Sequence, residues 1–178
     1  SLTTPAPSLT LTTCNLDRPP PADNHAAMPF ESSQDGRVAR IHLDAPPLNI
    51  LTAELQAAVQ IAIDSLNHDP APTHNLLVIE SQIEGVFSAG ADVSEHIGRA
   101  SVESLLHNAH GLIAALLESP VPTVCLVDGP CLGGAFELAL ACDQIVATER
   151  STFGTPEIKL GCYPPAAMLL MPWKLPAL

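Results

Sequence analysis

A chain of 178 residues and 18.6 kDa has room for one domain of ordinary size. With 47% hydrophobic residues and a mean hydropathy of +0.25 it can fill a core, which excludes the disordered class; with 3% aromatics, that core must be built from Ala, Leu, Val and Ile. Seven Lys and Arg against nineteen Asp and Glu give a net charge of −12, a surface that repels phosphodiester backbones, so no nucleic-acid partner is expected.

Apolar runs such as 111–117 fall far short of the roughly 20 residues that cross a bilayer, so no membrane partner is expected. The opening Ser1-Leu-Thr-Thr-Pro-Ala-Pro carries neither a basic residue nor an apolar h-region, so no signal peptide is read there. Five cysteines form an odd set with no C-x-x-C pair. Cys125, Cys131, Cys142 and Cys162 sit among apolar or small residues, where buried free thiols are common. A reduced, cytoplasmic protein without a disulfide or a metal is the expectation.

Residues 1–29 are dominated by Thr, Ser and Pro and keep no hydrophobic period, which reads as a tail or interdomain linker ahead of a core domain over 30–178. Alternation over 37–43 predicts a strand. Thr52 caps a predicted helix with Leu55, Ala58, Val59, Ala62 and Leu66 on one face, and Pro70 closes it. A short buried strand is expected at 76–79, then a helix over 102–119 ended by Pro120 and Pro122. Strands at 123–127 and 144–148 enclose a helical segment at 136–142. This alternation is that of an α/β domain. Met168 opens a last helix-like stretch that Pro172 and Pro176 interrupt, and the chain reads as cut short there.

Three stretches can carry chemistry. In Leu126-Val-Asp-Gly-Pro-Cys-Leu-Gly-Gly-Ala-Phe-Glu137 a buried strand meets a glycine turn and opens a helix. Gly133 and Gly134 allow a ligand close to backbone N–H groups at the positive end of that helix, a place for a developing oxyanion. A tight strand-to-helix turn needs the same glycines, so the pair alone does not distinguish the two. Glu137 lies in the first turn among apolar neighbours; burial would raise its pKa and the helix N-terminus would lower it. A solvated, dipole-stabilised Glu is the plainer alternative.

In the second stretch, around Ser88-Ala-Gly-Ala-Asp92, Ala89, Gly90 and Ala91 are small enough for backbone to reach a ligand. Ala91 and Gly134 could together supply two amides to a carbonyl oxygen. Asp92 is expected to cap the next turn. In the third, Phe153-Gly-Thr-Pro-Glu-Ile-Lys-Leu-Gly161, Glu157 follows a proline among apolar residues. Two carboxylates divide acid and base roles when their environments push their pKa values apart. Spacing leaves open whether Glu137 and Glu157 meet. His107 and His110 read as surface residues rather than ligands, His96 as a possible pocket residue, and Ser88 lacks a nucleophile elbow.

These three ordered motifs resemble the crotonase (enoyl-CoA hydratase/isomerase) superfamily over about 30–178. The resemblance implies a spiral of ββα units with two roughly perpendicular sheets, homotrimers or hexamers, and a coenzyme A thioester as substrate. It implies no cofactor beyond coenzyme A or phosphopantetheine carried by the substrate itself. Ala91 and Gly134 match the family's oxyanion-hole amides, with Ala89, Gly90 and Gly133 lining the substrate, and Glu137 and Glu157 match the two catalytic glutamates of its hydratases. Ala45-Pro-Pro-Leu-Asn-Ile50, Asp92-Val-Ser-Glu-His96 and the residues following Glu157 are similar to the cyclohexa-1,5-diene-1-carbonyl-CoA hydratases within it.

Two features depart from the pattern: the family's C-terminal helical region is absent, and the Pro/Thr-rich tail suggests a domain from a larger chain such as a polyketide synthase, with a carrier-bound substrate. The expectation is a hydratase acting on a conjugated enoyl or cyclic dienoyl thioester of coenzyme A or a carrier protein. Another crotonase reaction, isomerisation or decarboxylation, and a non-catalytic truncated subunit are the alternatives.

Overall fold

The computed structural model describes residues 10–12, 29–32, 37–69, 74–92 and 99–174. His96, weighed above as a pocket residue, the rest of the motif over 93–96 and most of 1–29 lie outside them. Six strands form the main sheet in the order β1 (Thr10–Thr12), β2 (Pro29–Ser32), β3 (Val38–Leu43), β4 (Leu76–Ser81), β5 (Thr123–Val127), β7 (Gln144–Ala147). Among the described residues, only the β2–β3 pair of this sheet is antiparallel. Thr10–Thr12 thus adds a strand to the sheet edge from within a stretch whose composition reads as solvated tail. A second sheet pairs β6 (Pro130–Leu132) with β8 (Thr152–Gly154).

The parallel strands follow from helical crossovers. α1 (Ala53–Asn67) joins β3 to β4, and α2 (Arg99–Leu117) leads from β4 to β5. Thr52 caps α1 as its sequence predicts, its Oγ1 accepting from the Leu55 N–H at 3.2 Å. Leu55, Val59, Ala62 and Ile63 bury one face against Ile41, Leu43, Leu77 and Ile79 of the sheet. A Cβ on Gly111 would lie 2.6 Å from the Gln60 amide, so that glycine lets α1 and α2 pack closely.

After β6 come α3 (Gly134–Ala141), then β7, β8, a 3₁₀ helix (Pro156–Leu160) and α4 (Pro165–Lys174). Three differences from the sequence reading have local causes. β6 and β8 are three residues each, too short for alternation to register. The 3₁₀ turn starts on Pro156, whose fixed φ suits a first helical position. α4 begins at Pro165 and runs through Pro172, which falls in its last three residues and so leaves little helix beyond the hydrogen bond it removes.

Cys125, Cys131 and Cys142 are buried as expected, and burial pushes the Cys131 thiol up to about 12, where it stays protonated. Cys162 is a correction: it is exposed, because the turn after the 3₁₀ helix stands at the surface.

Candidate active site

The turn between β6 and α3 depends on glycine. Gly133 has φ 55° and ψ −129°, a conformation that a side chain would strain, and a Cβ there would stand 2.9 Å from Oε1 of Glu157. A Cβ on Gly134 would lie 3.9 Å from the backbone nitrogen of Ala91, so the two backbones run side by side. The neighbouring Gly90, at φ 95°, faces the Leu132 carbonyl so closely that a Cβ would come within 2.6 Å of its oxygen.

The loop 88–91 is clamped from two sides. The Ser88 N–H donates to Pro130 O and the Leu132 N–H to Ser88 O, while the Ala89 N–H donates to Leu48 O and the Leu51 N–H to Gly90 O. The Ser88 hydroxyl donates to Asn49 O at 2.6 Å and accepts from the Gly90 N–H. It braces the loop, a role that fits the absence of a nucleophile elbow. Asn49, fully buried at φ 47°, donates its amide to Ser81 Oγ and Phe87 O and accepts from the Ala45 N–H at 2.7 Å. With every other donor of this loop used, the N–H groups of Ala91 and Gly134 have no acceptor among the described residues.

Glu137 is 7% exposed on a helix whose residues 135–141 are all buried. Its Oε1 accepts two N–H bonds, from Ala166 at 2.8 Å and Ala167 at 2.9 Å. Burial raises its pKa; those two bonds and the nearby His110 pull down, and Glu157 adds to the rise. Burial therefore wins, and the helix N-terminus that opposes it belongs to α4 rather than to Glu137's own helix. Lys174, at the other end of α4, donates to the Cys142 carbonyl just beyond α3 at 2.7 Å. The two helices run in the same direction, each supplying a cap to the other.

Glu157 is half-buried on the 3₁₀ helix, and its Oε2 is buried without a partner among the described residues. Both glutamates line one cavity of about 490 Å³, together with Ala89, Gly90, Ala91, Gly133 and Gly134. The seven predicted site residues thus meet, and the question left open by spacing is answered. The rest of the wall is mostly apolar and comes from α2 and from the segment that follows Glu157. His110 is there too: it is exposed as expected, but at the cavity rather than on a remote surface. Gln56 is a polar wall residue that sequence reasoning passed over, its one signal being an amide on the otherwise apolar face of α1. Asp92 is described, but the turn it was expected to cap is not.

Such a cavity, lined by two carboxylates and by two backbone N–H groups without an acceptor among the described residues, suits a carbonyl substrate whose α-carbon gains or loses a proton. The profile of the Enoyl-CoA hydratase/isomerase family matches residues 33–175. The chain belongs to the enoyl-CoA hydratase/isomerase family.

Within that family, the chain is 38% identical over 140 residues to the cyclohexa-1,5-dienecarbonyl-CoA hydratase of Thauera aromatica, covering 78% of this chain and 52% of that protein. It is 36% identical over 118 residues to the mitochondrial methylglutaconyl-CoA hydratase of Homo sapiens, covering 65% and 34%. Pseudomonas aeruginosa DspI superposes with a TM-score of 0.75 at 26% identity, covering 85% of this chain and 62% of that one. An enoyl-CoA hydratase from Bacillus halodurans does so with a TM-score of 0.73 at 27% identity, covering 81% and 59%. The fold is therefore crotonase-like, as the motifs imply. The chain spans about half the length of the curated relatives it matches. Among the described residues, no helix is long and apolar enough to cross a membrane.

Proposed function

We propose that this chain carries the active site of a hydro-lyase that adds water across the conjugated double bond of an acyl thioester. One observation carries the reading: two glutamates and two backbone N–H groups without an acceptor among the described residues line a single cavity. The thioester carbonyl accepts hydrogen bonds from the Ala91 and Gly134 amides, which stabilise the enolate formed when water adds. Glu137 takes a proton from the attacking water as its oxygen bonds to the β-carbon. Glu157 gives a proton to the α-carbon. The proton gained by one carboxylate replaces the one lost by the other, so the sum is one water added. Ala89, Gly90 and Gly133 shape the wall along the thioester.

The substrate class is a coenzyme A thioester, with a carrier-bound phosphopantetheine thioester as its chemical equivalent, and the mechanism calls for no other cofactor. Similarity to a cyclohexadienecarbonyl-CoA hydratase and the apolar wall from α2 support a cyclic dienoyl group, with water entering at the distal end of the conjugated system. Exposed Met168, Leu169 and Trp173 on α4 support the homotrimer or hexamer expected of the family. A cytoplasmic location belongs to the same proposal.

The test is to incubate the chain with crotonyl-CoA and with cyclohexa-1,5-diene-1-carbonyl-CoA in ¹⁸O-water. Loss of the conjugated thioester absorbance with ¹⁸O in the product is expected. A product without solvent oxygen makes the chain an isomerase or decarboxylase instead. No reaction and no binding of either thioester leaves the non-catalytic subunit.

A further inference from the structure

Gln56 lies just inside the first turn of α1, 2% exposed, on the face that also buries Leu55, Val59, Ala62 and Ile63. Its side-chain Nε2 donates to the Leu51 carbonyl at 2.9 Å. Only the nitrogen can face that oxygen, so the amide's orientation is set, and Oε1 is left buried without a partner among the described residues. Core packing alone does not call for such a residue: a leucine of similar size would fill the space and leave no acceptor unsatisfied.

What the amide holds is the cradle's backbone. Leu51 in turn donates its N–H to Gly90 O at 2.9 Å, and Leu51 and Ala91 pair as an isolated parallel bridge. A chain of two hydrogen bonds therefore runs from the interior of α1 to the turn that presents the Ala91 N–H. We infer that Gln56 is a positioning residue: its amide fixes Leu51, and through Leu51 the Gly90–Ala91 turn, so that the Ala91 N–H stays aimed at the thioester carbonyl. The inference rests on the reading of Ala91 and Gly134 as that carbonyl's donors. A donor moved by a fraction of an ångström loses much of its effect on a developing oxyanion.

The readout is a push–pull chromophore, a dialkylaminocinnamoyl-CoA thioester, whose absorbance moves to the red when its carbonyl is polarised. The wild-type chain should shift it on binding. Gln56→Leu should bind the probe with a smaller red shift and turn over enoyl thioester roughly 5- to 50-fold more slowly, with KM within about threefold, since a donor is misaimed rather than deleted. Its melting temperature should be unchanged or higher, because the unsatisfied acceptor has gone, which separates aiming from mere support of the fold.

Gln56→Glu can donate to Leu51 O only when protonated. Its red shift should recover as the pH falls through the carboxyl range, read at each pH against wild type because Glu137 and His110 line the same cavity. A Gln56→Leu variant with the full wild-type shift and rate overturns the inference alone. A loss of rate that follows a loss of folded protein overturns it as well. A wild-type chain that does not shift the probe overturns the cradle reading itself, and this inference with it.

Discussion

Two short segments each bring a glutamate to the cavity, and they are built in opposite ways. α3 is buried along nearly its whole length, and its Glu137 is held by two backbone N–H groups. The 3₁₀ helix has no buried residue, starts on a proline and stops at Gly161 in the left-handed region. Its Glu157 has one oxygen against Gly133 and the other with no donor among the described residues. A carboxylate with two fixed donors presents its second oxygen in one direction, which suits holding a water molecule. A carboxylate without donors exchanges its proton with little rearrangement around it. The contrast fits the proposed roles, with the base on the rigid segment and the acid on the adjustable one.

The largest effect should come from breaking the rigid side. Glu137→Gln keeps an oxygen for the Ala166 and Ala167 N–H groups but loses the base, so the hydration rate should fall about 100-fold or more, followed by loss of thioester absorbance. Stability should move the other way. Burial raises the folded-state pKa of Glu137, so between the ordinary carboxyl value and the raised one the folded state holds more protons than the unfolded state. Wild-type stability therefore falls as pH rises through that window. Above it, thermal melts should find Glu137→Gln no less stable than wild type. A variant that melts ever further below wild type as pH rises would mean that the N–H bonds outweigh burial.

Gly133→Ala attacks the adjustable side. Its Cβ would meet Glu157 Oε1 and strain the turn, so the rate should fall on the order of tenfold and stability by about 1–3 kcal/mol. Gly161→Ala is the control: it is also at positive φ, but nothing lies within 4 Å of its Cβ. It should cost about 1 kcal/mol in a denaturant titration and leave the rate within about twofold. The smallest effect is expected of Lys174→Met, which removes the cap on α3 and should cost roughly 0.3–1 kcal/mol. If it slows the reaction as much as Gly133→Ala does, Glu137 is less firmly held than its two N–H bonds suggest.

Beyond the site, the strand–helix alternation from Val38 to Ala147, β6 apart, was legible because each element carries its own signal. β3 alternates, Thr52 caps its own helix, and prolines close α2. The turn at Gly133 was legible as well, since a Gly-Gly pair between a strand and a helix reads as a tight turn and only glycine tolerates the backbone found there. The Thr10–Thr12 strand, β6 and β8 were not, because three residues give no period and each is held by a strand distant in sequence. Cys162 read as buried from its small neighbours, yet those neighbours stand at the surface themselves.

By itself, the order of residues determined the kind of groups available: two acidic side chains, two glycine-permitted turns and an apolar helix to cover them. It also carried the motifs that place the chain in its family. The tertiary structure decided which of these groups meet and in what state. The donors that hold Glu137 lie 29 and 30 residues further along the chain, α2 supplies part of the cavity wall, and the hydrogen bond that ties α1 to the Ala91 turn starts at a residue that local pattern marks only as misplaced. Local pattern records what each segment prefers; burial, proximity of charge and the pairing of backbone groups arise only when segments distant in sequence are packed together.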